Sequence, residues 1–218
     1  MSKIIISRRE FVKDVAVAVN ATVLVACSPV PASLEEGNLT GEPSTGKQSP
    51  QVTTAGRVLK VLVVYDSVYG NTAKIAQSLL DGLDARHESS ISIVQEAGIA
   101  DLEGIDLLLV GSPTHGGTFT EPVKNFLGAI PDQELKGIQA AAFDTSFSKE
   151  TQGTVADIVI GIFGFAAPKI AAELESKGAS VLSAERFIVL DTEGPLLEGE
   201  IDRAARWAAD LVVTTSNS

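Results

Sequence analysis

From Arg57 onward, apolar runs of two kinds alternate along the chain, and this alternation limits the fold more than any other feature of the sequence. "VLKVLVVY" (58–65) is a continuous β-branched run of the kind that forms a strand buried on both faces. "TAKIAQSLLDGLDA" (72–85) places Ile75, Ala76, Leu79, Leu80 and Leu83 on one helical face. "SISIVQ" (90–95) and "IDLLLVGSP" (105–113) read as strands. "EPVKNFLGAI" (121–130) reads as a helix with Pro122 in its first turn, where Pro is tolerated. "GIQAAAFD" (137–144) is a further strand. "TVADIVIGIFGFAAPKIAAELESKG" (154–178) holds a helix at least from Pro168 to Lys177, and its β-branched, Gly-broken part from Val155 to Phe165 is ambiguous. "SAERFIVLD" (183–191) is the last strand and "EGEIDRAARWAADLVVT" (198–214) a closing helix. Strands alternating with helices make βαβ units. Five strands in about 160 residues predict an α/β fold. Its sheet is doubly wound, five-stranded and parallel, in strand order 2-1-3-4-5.

The chain before Arg57 is of a different kind. Ser7-Arg8-Arg9-Glu10-Phe11-Val12-Lys13 resembles the twin-arginine motif of bacterial export signals. The apolar stretch from Val15 to Ala26 has 12 residues, short of the roughly 20 that cross a bilayer, and fits the core of a signal peptide. Leu24-Val25-Ala26-Cys27 resembles a lipobox. Residues 1–26 are therefore expected to be a leader, and Cys27 a lipidated first residue of the mature chain. The protein would then be extracytoplasmic, held at the bacterial cell membrane through a lipid anchor only. The twin-arginine route carries folded proteins, so the resemblance also implies a bound cofactor. Pro, Gly, Ser and Thr fill 16 of the 29 positions from Ser28 to Gly56. That stretch reads as a disordered tether, completing a 27–56 linker whose ends lie about 30 Å apart, before one domain at 57–218.

Composition removes several function classes. A net charge of -11 argues against nucleic acid, whose phosphates need Lys and Arg. One Cys allows no internal disulfide and no Cys-rich zinc or iron–sulfur site. His87 and His115 are the two His of the chain, too few for a multi-His metal centre.

Ligands of doubly wound sheets bind beyond the carboxyl ends of the strands, at the switch point between strands 1 and 3. Three loops should meet there: "SVYGNT" (67–72), "SPTHGGTFT" (112–120) and "DTSFSKE" (144–150). In the first, Gly70 permits a tight turn and successive N–H groups at a helix start favour an anion. Ser67, Thr72 and the Asn71 amide add neutral donors. No Lys is present, so a terminal monophosphate suits this turn better than a triphosphate, which needs GxxxxGK[ST] and Mg²⁺. Helix capping is the plainer reading of the same hydroxyls. Gly116-Gly117 gives close-approaching backbone, and His115 or Phe119 on one side and Phe147 on the other can lie against a planar ring. Trp207 falls on the packed face of the closing helix, and Glu198 and Glu200 suit its positive end.

From about Val58 to Val213 the chain resembles the flavodoxins. "SVYGNT" stands where that family has its T/S-x-T/Y-G-N-T phosphate loop, and "GSPTHGG" is similar to the family's GSPTWGG. "AAFDTSFSK" and "GPLLEGEIDRAARWA" also resemble segments of flavodoxin-domain proteins. The resemblance implies non-covalent FMN, with Ser67, Val68, Tyr69, Gly70, Asn71 and Thr72 at the phosphate. It places Pro113, Thr114, His115, Gly116, Gly117, Thr145, Ser146 and Phe147 around the isoalloxazine. Phe147 and His115 stand where many members carry stacking Tyr and Trp. The implied function is electron transfer by a membrane-tethered FMN protein, with redox donor and acceptor proteins or quinones as partners. Two alternatives are an FMN-dependent reductase of quinones and a flavin-free binding module.

Overall fold

The computed structural model describes residues 6–7, 57–147 and 164–218. Cys27, the tether up to Gly56, and the ambiguous stretch from Val155 as far as 163 lie outside the described residues.

Five parallel strands form the sheet: β1 (Lys60–Tyr65), β2 (Glu88–Ile93), β3 (Leu107–Pro113), β4 (Gln139–Phe147) and β5 (Ser180–Val189). Their order is β2-β1-β3-β4-β5, the predicted 2-1-3-4-5. Ile6–Ser7 adds a two-residue antiparallel strand at the β2 edge, pairing with Ile91 and Ser90. Helices α1 (Asn71–Gly82), α2 (Glu121–Ala129), α3 (Ala166–Ser176) and α4 (Glu200–Ser216) cover both faces. A short 3₁₀ helix, Ile99–Leu102, follows β2.

Strand alternation sorts the core into two layers. Leu62, Val64, Leu108, Val110, Ala140 and Ala142 pack against Phe126 and Leu127 of α2 and Ile170 and Leu174 of α3. Val61, Val63, Leu107, Leu109, Ala141 and Phe143 pack against Ile75 and Leu79 of α1 and Ala204 and Ala208 of α4. The central strands β1 and β3 are buried on both sides, which is why their sequences are continuous apolar runs. Gly111 pairs with Phe143, and a Cβ there would stand 2.1 Å from the Phe143 ring, so the ring occupies the space that Gly leaves.

Several boundaries differ from the sequence reading by two or three residues, and three of them have a plain physical reason. β1 starts at Lys60 rather than at 58 because the Leu59 N–H bonds to His87 Nδ1 at 3.1 Å instead of joining the ladder. α1 ends at Gly82 rather than at 85, where the Leu83 N–H turns back to the Leu80 carbonyl. β4 runs on to Phe147 rather than stopping at 144, because Thr145, Ser146 and Phe147 pair with Phe187, Ile188 and Val189. Trp207 packs where the helical spacing put it, edge-on to Phe187 with ring centroids 6.0 Å apart.

Gly82 holds α1 against α4. A Cβ there would stand 2.2 Å from the Ala205 carbonyl oxygen. Helix propensity alone makes Gly→Ala favourable by up to about 1 kcal/mol. Overpacking against backbone costs about 1–3 kcal/mol and should win. Gly82→Ala is therefore expected to lower the urea midpoint; an unchanged or raised midpoint would mean that the two helices are free to separate.

Candidate functional site

The carboxyl ends of β1, β3 and β4 open into one cleft. Val68, Tyr69, Asn71 and Thr72 line it from the loop after β1 and the start of α1. Pro113, Thr114 and His115 line it from the end of β3, and Thr145, Ser146 and Phe147 from the end of β4. The loops are joined directly: the Thr72 and Thr145 hydroxyls are 2.8 Å apart, and the Thr114 N–H donates to the Thr145 carbonyl at 2.9 Å.

Ser67, Gly70, Gly116 and Gly117 shape the cleft without lining it. Gly70 takes φ 83° at the start of α1, in the left-handed region open to Gly. Ser67 Oγ accepts the Ala73 N–H at 3.1 Å, so for this residue the capping reading holds. The Lys74 N–H returns to the Gly70 carbonyl. Of the first four helix N–H groups, those of Asn71 and Thr72 find no partner among the described residues. Two free donors at the positive end of a 12-residue helix suit an anion.

Gly116 and Gly117, at φ 56° and 78°, are the centre of a tight hairpin closed by two hydrogen bonds between His115 and Thr118. Positive φ at both central residues is the requirement of a type I′ turn, which explains the Gly pair. His115 stands exposed on this hairpin, while Phe147 is half-buried at the cleft wall. Phe119 packs against the core layer under α2 and α3 and does not line the cleft; the hairpin turns it inward.

Beneath the cleft runs a polar row that composition alone does not reveal. Ser112 pairs with Asp144 and Asp144 with Arg186, on the face that carries α2 and α3. Asp66, following β1, is held by the Thr120 hydroxyl at 2.6 Å and the Gln95 amide at 3.2 Å. Asp144 is fully buried and its Oδ2 accepts the Ala167 N–H at 2.8 Å, while Thr114 Oγ1 accepts that of Ala166 at 3.0 Å. The ends of β3 and β4 thus cap the start of α3. Asp144 Oδ1 and the nearby buried Ser146 hydroxyl form no hydrogen bond of good geometry among the described residues. Burial pushes the Asp144 carboxyl up to about 6, against the pull of the Ala167 N–H, the Ser146 hydroxyl, the Arg186 guanidinium and the Thr114 hydroxyl.

Sequence reasoning missed Val189 and Thr192, which complete the cleft from the end of β5. The Asn71 amide donates to the Glu193 carbonyl at 3.0 Å, tying that loop to the first one. The rule that selected three carboxyl-end loops would have found this one, had it been applied to the fifth strand. No group of three or more potential metal ligands exists among the described residues. No helix among them is long and apolar enough to cross a membrane.

A family model described as a flavodoxin domain matches residues 62–185, more than half of the chain. A flavodoxin of Aquifex aeolicus is 35% identical over 92 residues, which are 40% of this chain and 50% of that protein. The chain thus spans half the length of this relative. A flavodoxin structure from the domain Archaea superposes with a TM-score of 0.55 at 20% identity, over 72% of this chain and 99% of that one. The flavodiiron protein of Giardia intestinalis superposes at 0.54 with 25% identity, over 72% of this chain and 36% of that one.

Proposed function

The chain belongs to the flavodoxin domain family, and from that premise we propose that it binds FMN non-covalently in the cleft and passes electrons between redox partners. One observation carries the reading: the two free N–H groups of Asn71 and Thr72 stand at the helix start beside the cleft that Thr72, Thr114, Thr145 and Phe147 line. The residues present fit the group. The helix start offers neutral donors for a phosphate. Ser67, Tyr69 and Gly70 would shape the phosphate end. Pro113, His115 and Phe147 would flank the ring, with Gly116 and Gly117 holding the hairpin that carries His115. Bound flavin supplies the electron chemistry; the protein's part is to bind it, orient it and limit its contact with water. The acidic surface and the carboxyl of Asp144 disfavour added negative charge in the cleft, which lowers the potential of the bound group.

The proposal extends to the N-terminus. The twin-arginine and lipobox resemblances support export and lipidation at Cys27, with residues 28–56 as the tether that holds the domain off the membrane. Cys27→Ala is expected to move the protein from the membrane fraction to the soluble one; retention in the membrane would remove the lipid anchor from the reading.

Absorption of the purified protein tests the flavin. A two-banded flavin spectrum, with about one FMN per chain released by heat, is the expected result. A colourless protein that also ignores added FMN would leave a fold whose cleft holds something else.

A further inference from the structure

The two outer strands of the sheet are finished differently. The carboxyl end of β5 is covered by the segment that follows it: the Leu190 N–H donates to the Pro195 carbonyl and the Leu197 N–H to the Ile188 carbonyl, each at 2.9 Å. At β2, the Glu88 N–H donates to the Leu59 carbonyl and the Val94 N–H to the Tyr65 carbonyl, both toward β1. Successive residues of a strand point their amides to opposite sides, so those of Ser90 and Ser92 also face β1, and those of Ser89, Ile91 and Ile93 face outward. Such an outward row of N–H and C=O groups is a template for another strand. Among the described residues, Ile6–Ser7 lies along it, antiparallel, with Ile6 opposite Ile91 and Ser7 opposite Ser90. Ile6 and Ile91 are therefore the pair that exchanges hydrogen bonds. We propose that the folded domain takes the head of the leader as an added strand on β2, and so holds the stretch from Ser7 to Lys13 back from export until that ladder is broken.

Sequence complementarity selects this occupant. Ser7 belongs both to the ladder and to the stretch that resembles a twin-arginine motif. The antiparallel register carries the chain after Ser7 toward Glu88, an exposed carboxylate at the start of β2. The proposed strand, counted on in the same register, sets Arg9 against Glu88 at one end and Ile4 against Ile93 at the other. Opposite charges and apolar pairs directly across a ladder both favour it. A second copy that paired β2 with β2 about Ile91 would instead set Glu88 opposite Val94 and give the carboxylate no cation. Until it is displaced, the leader also covers an edge open to stray strand pairing. Only the hold on export rests on the leader reading; the pairing rests on the register.

Hydrogen exchange on the full chain, read amide by amide, tests the pairing. Ile6→Pro removes the N–H that the Ile91 carbonyl accepts, and leaves both the domain and the Ser7 to Lys13 stretch unaltered. Ile6→Thr keeps the N–H and the β-branched shape. The Ile91 amide is expected to exchange at least about fivefold faster in Ile6→Pro than in the unaltered chain, and within about twofold of it in Ile6→Thr. The Ser90 and Ser92 amides should exchange alike in all three. Equally fast exchange at Ile91 in all three chains would overturn the added strand. So would an equal rise at Ser90 and Ser92, because the sheet rather than its edge would then have loosened. Protection at Ile91 that ignores Ile6→Pro and grows with protein concentration would make the occupant a second copy and overturn it as well. Arrival in the membrane fraction gives the second readout: Ile6→Pro should be exported about threefold faster than Ile6→Thr. Equal rates would overturn the hold on export. A chain that shows the exchange pattern but is never exported would keep the strand and sink the leader reading.

Discussion

Ser67→Asp is expected to leave the fold as stable as before, or slightly more so, while cutting FMN affinity between about thirtyfold and a thousandfold. The two halves of that result come from two roles of one turn. Ser67 Oγ accepts the Ala73 N–H, and a carboxylate accepts such a bond at least as well. Its charge also sits at the positive end of α1, where it is favourable. A phosphate drawn to the free Asn71 and Thr72 N–H groups would meet that charge at close range. At an effective dielectric of about 20, two charges some 4–6 Å apart repel by roughly 2–4 kcal/mol. Riboflavin lacks the phosphate and provides the control. Its affinity should fall little, so the ratio of FMN to riboflavin affinity should collapse. Equal loss for both ligands, or no loss for either, would mean that no phosphate sits at this turn.

Asp144→Asn should raise stability at pH 7.5 by about 1–3 kcal/mol and change it little near pH 4. The folded carboxyl titrates at about 6 rather than at its ordinary 3.8, chiefly because it is buried. A folded-state value above the unfolded one means that the native chain keeps a proton the unfolded chain has given up. The contribution of Asp144 is therefore complete below about pH 4 and is lost as pH climbs through 6. At one pKa unit per 1.36 kcal/mol, the ionised form costs on the order of 2–3 kcal/mol at neutral pH. Asn keeps a carbonyl oxygen for the Ala167 N–H and removes the charge. Urea unfolding of both proteins at the two pH values measures the effect. A gain of the same size at both would show that the carboxyl does not titrate in this window. Asp144→Ala separates charge from cap, because it also strips the acceptor from the start of α3.

Much of this architecture was legible in the residues because it rests on periodicity. The two central strands had to read as unbroken apolar runs once both their faces were covered, and α1 and α4 had to show one apolar stripe each. Strand order came from the doubly wound arrangement that five such alternating strands fit rather than from any single residue. The convergence of the first three loops followed from the switch-point rule. What stayed hidden was whatever depends on partners distant in sequence. Nothing near Leu59 announces that its N–H belongs to His87. Nothing in "FDTSF" shows that β5 is long enough to keep Thr145 to Phe147 in the ladder. The burial of Asp144 was hidden likewise, since a carboxylate at a strand end reads as exposed until the start of α3 is placed over it. Phe119 shows the opposite error: an aromatic beside a ligand loop invites a stacking role, but the hairpin geometry points it into the core.

The two apolar layers and the cleft share no residue. A melting curve of the ligand-free chain is therefore largely blind to the exposed residues of the cleft wall. Substitutions at its exposed residues Val68, Tyr69, His115 and Thr192 could reshape the cleft while the sheet and its helices refold as readily as before; Asn71, Thr72 and Thr114 also hold the loops together. Natural drift in such a chain would erase the activity long before it disturbed the scaffold, so thermal robustness cannot serve as a proxy for retained function among its relatives. The same partition makes the molecule forgiving to re-engineer. A library randomised at Val68, Tyr69, His115 and Thr192 can be screened for a new guest without first being filtered for folding.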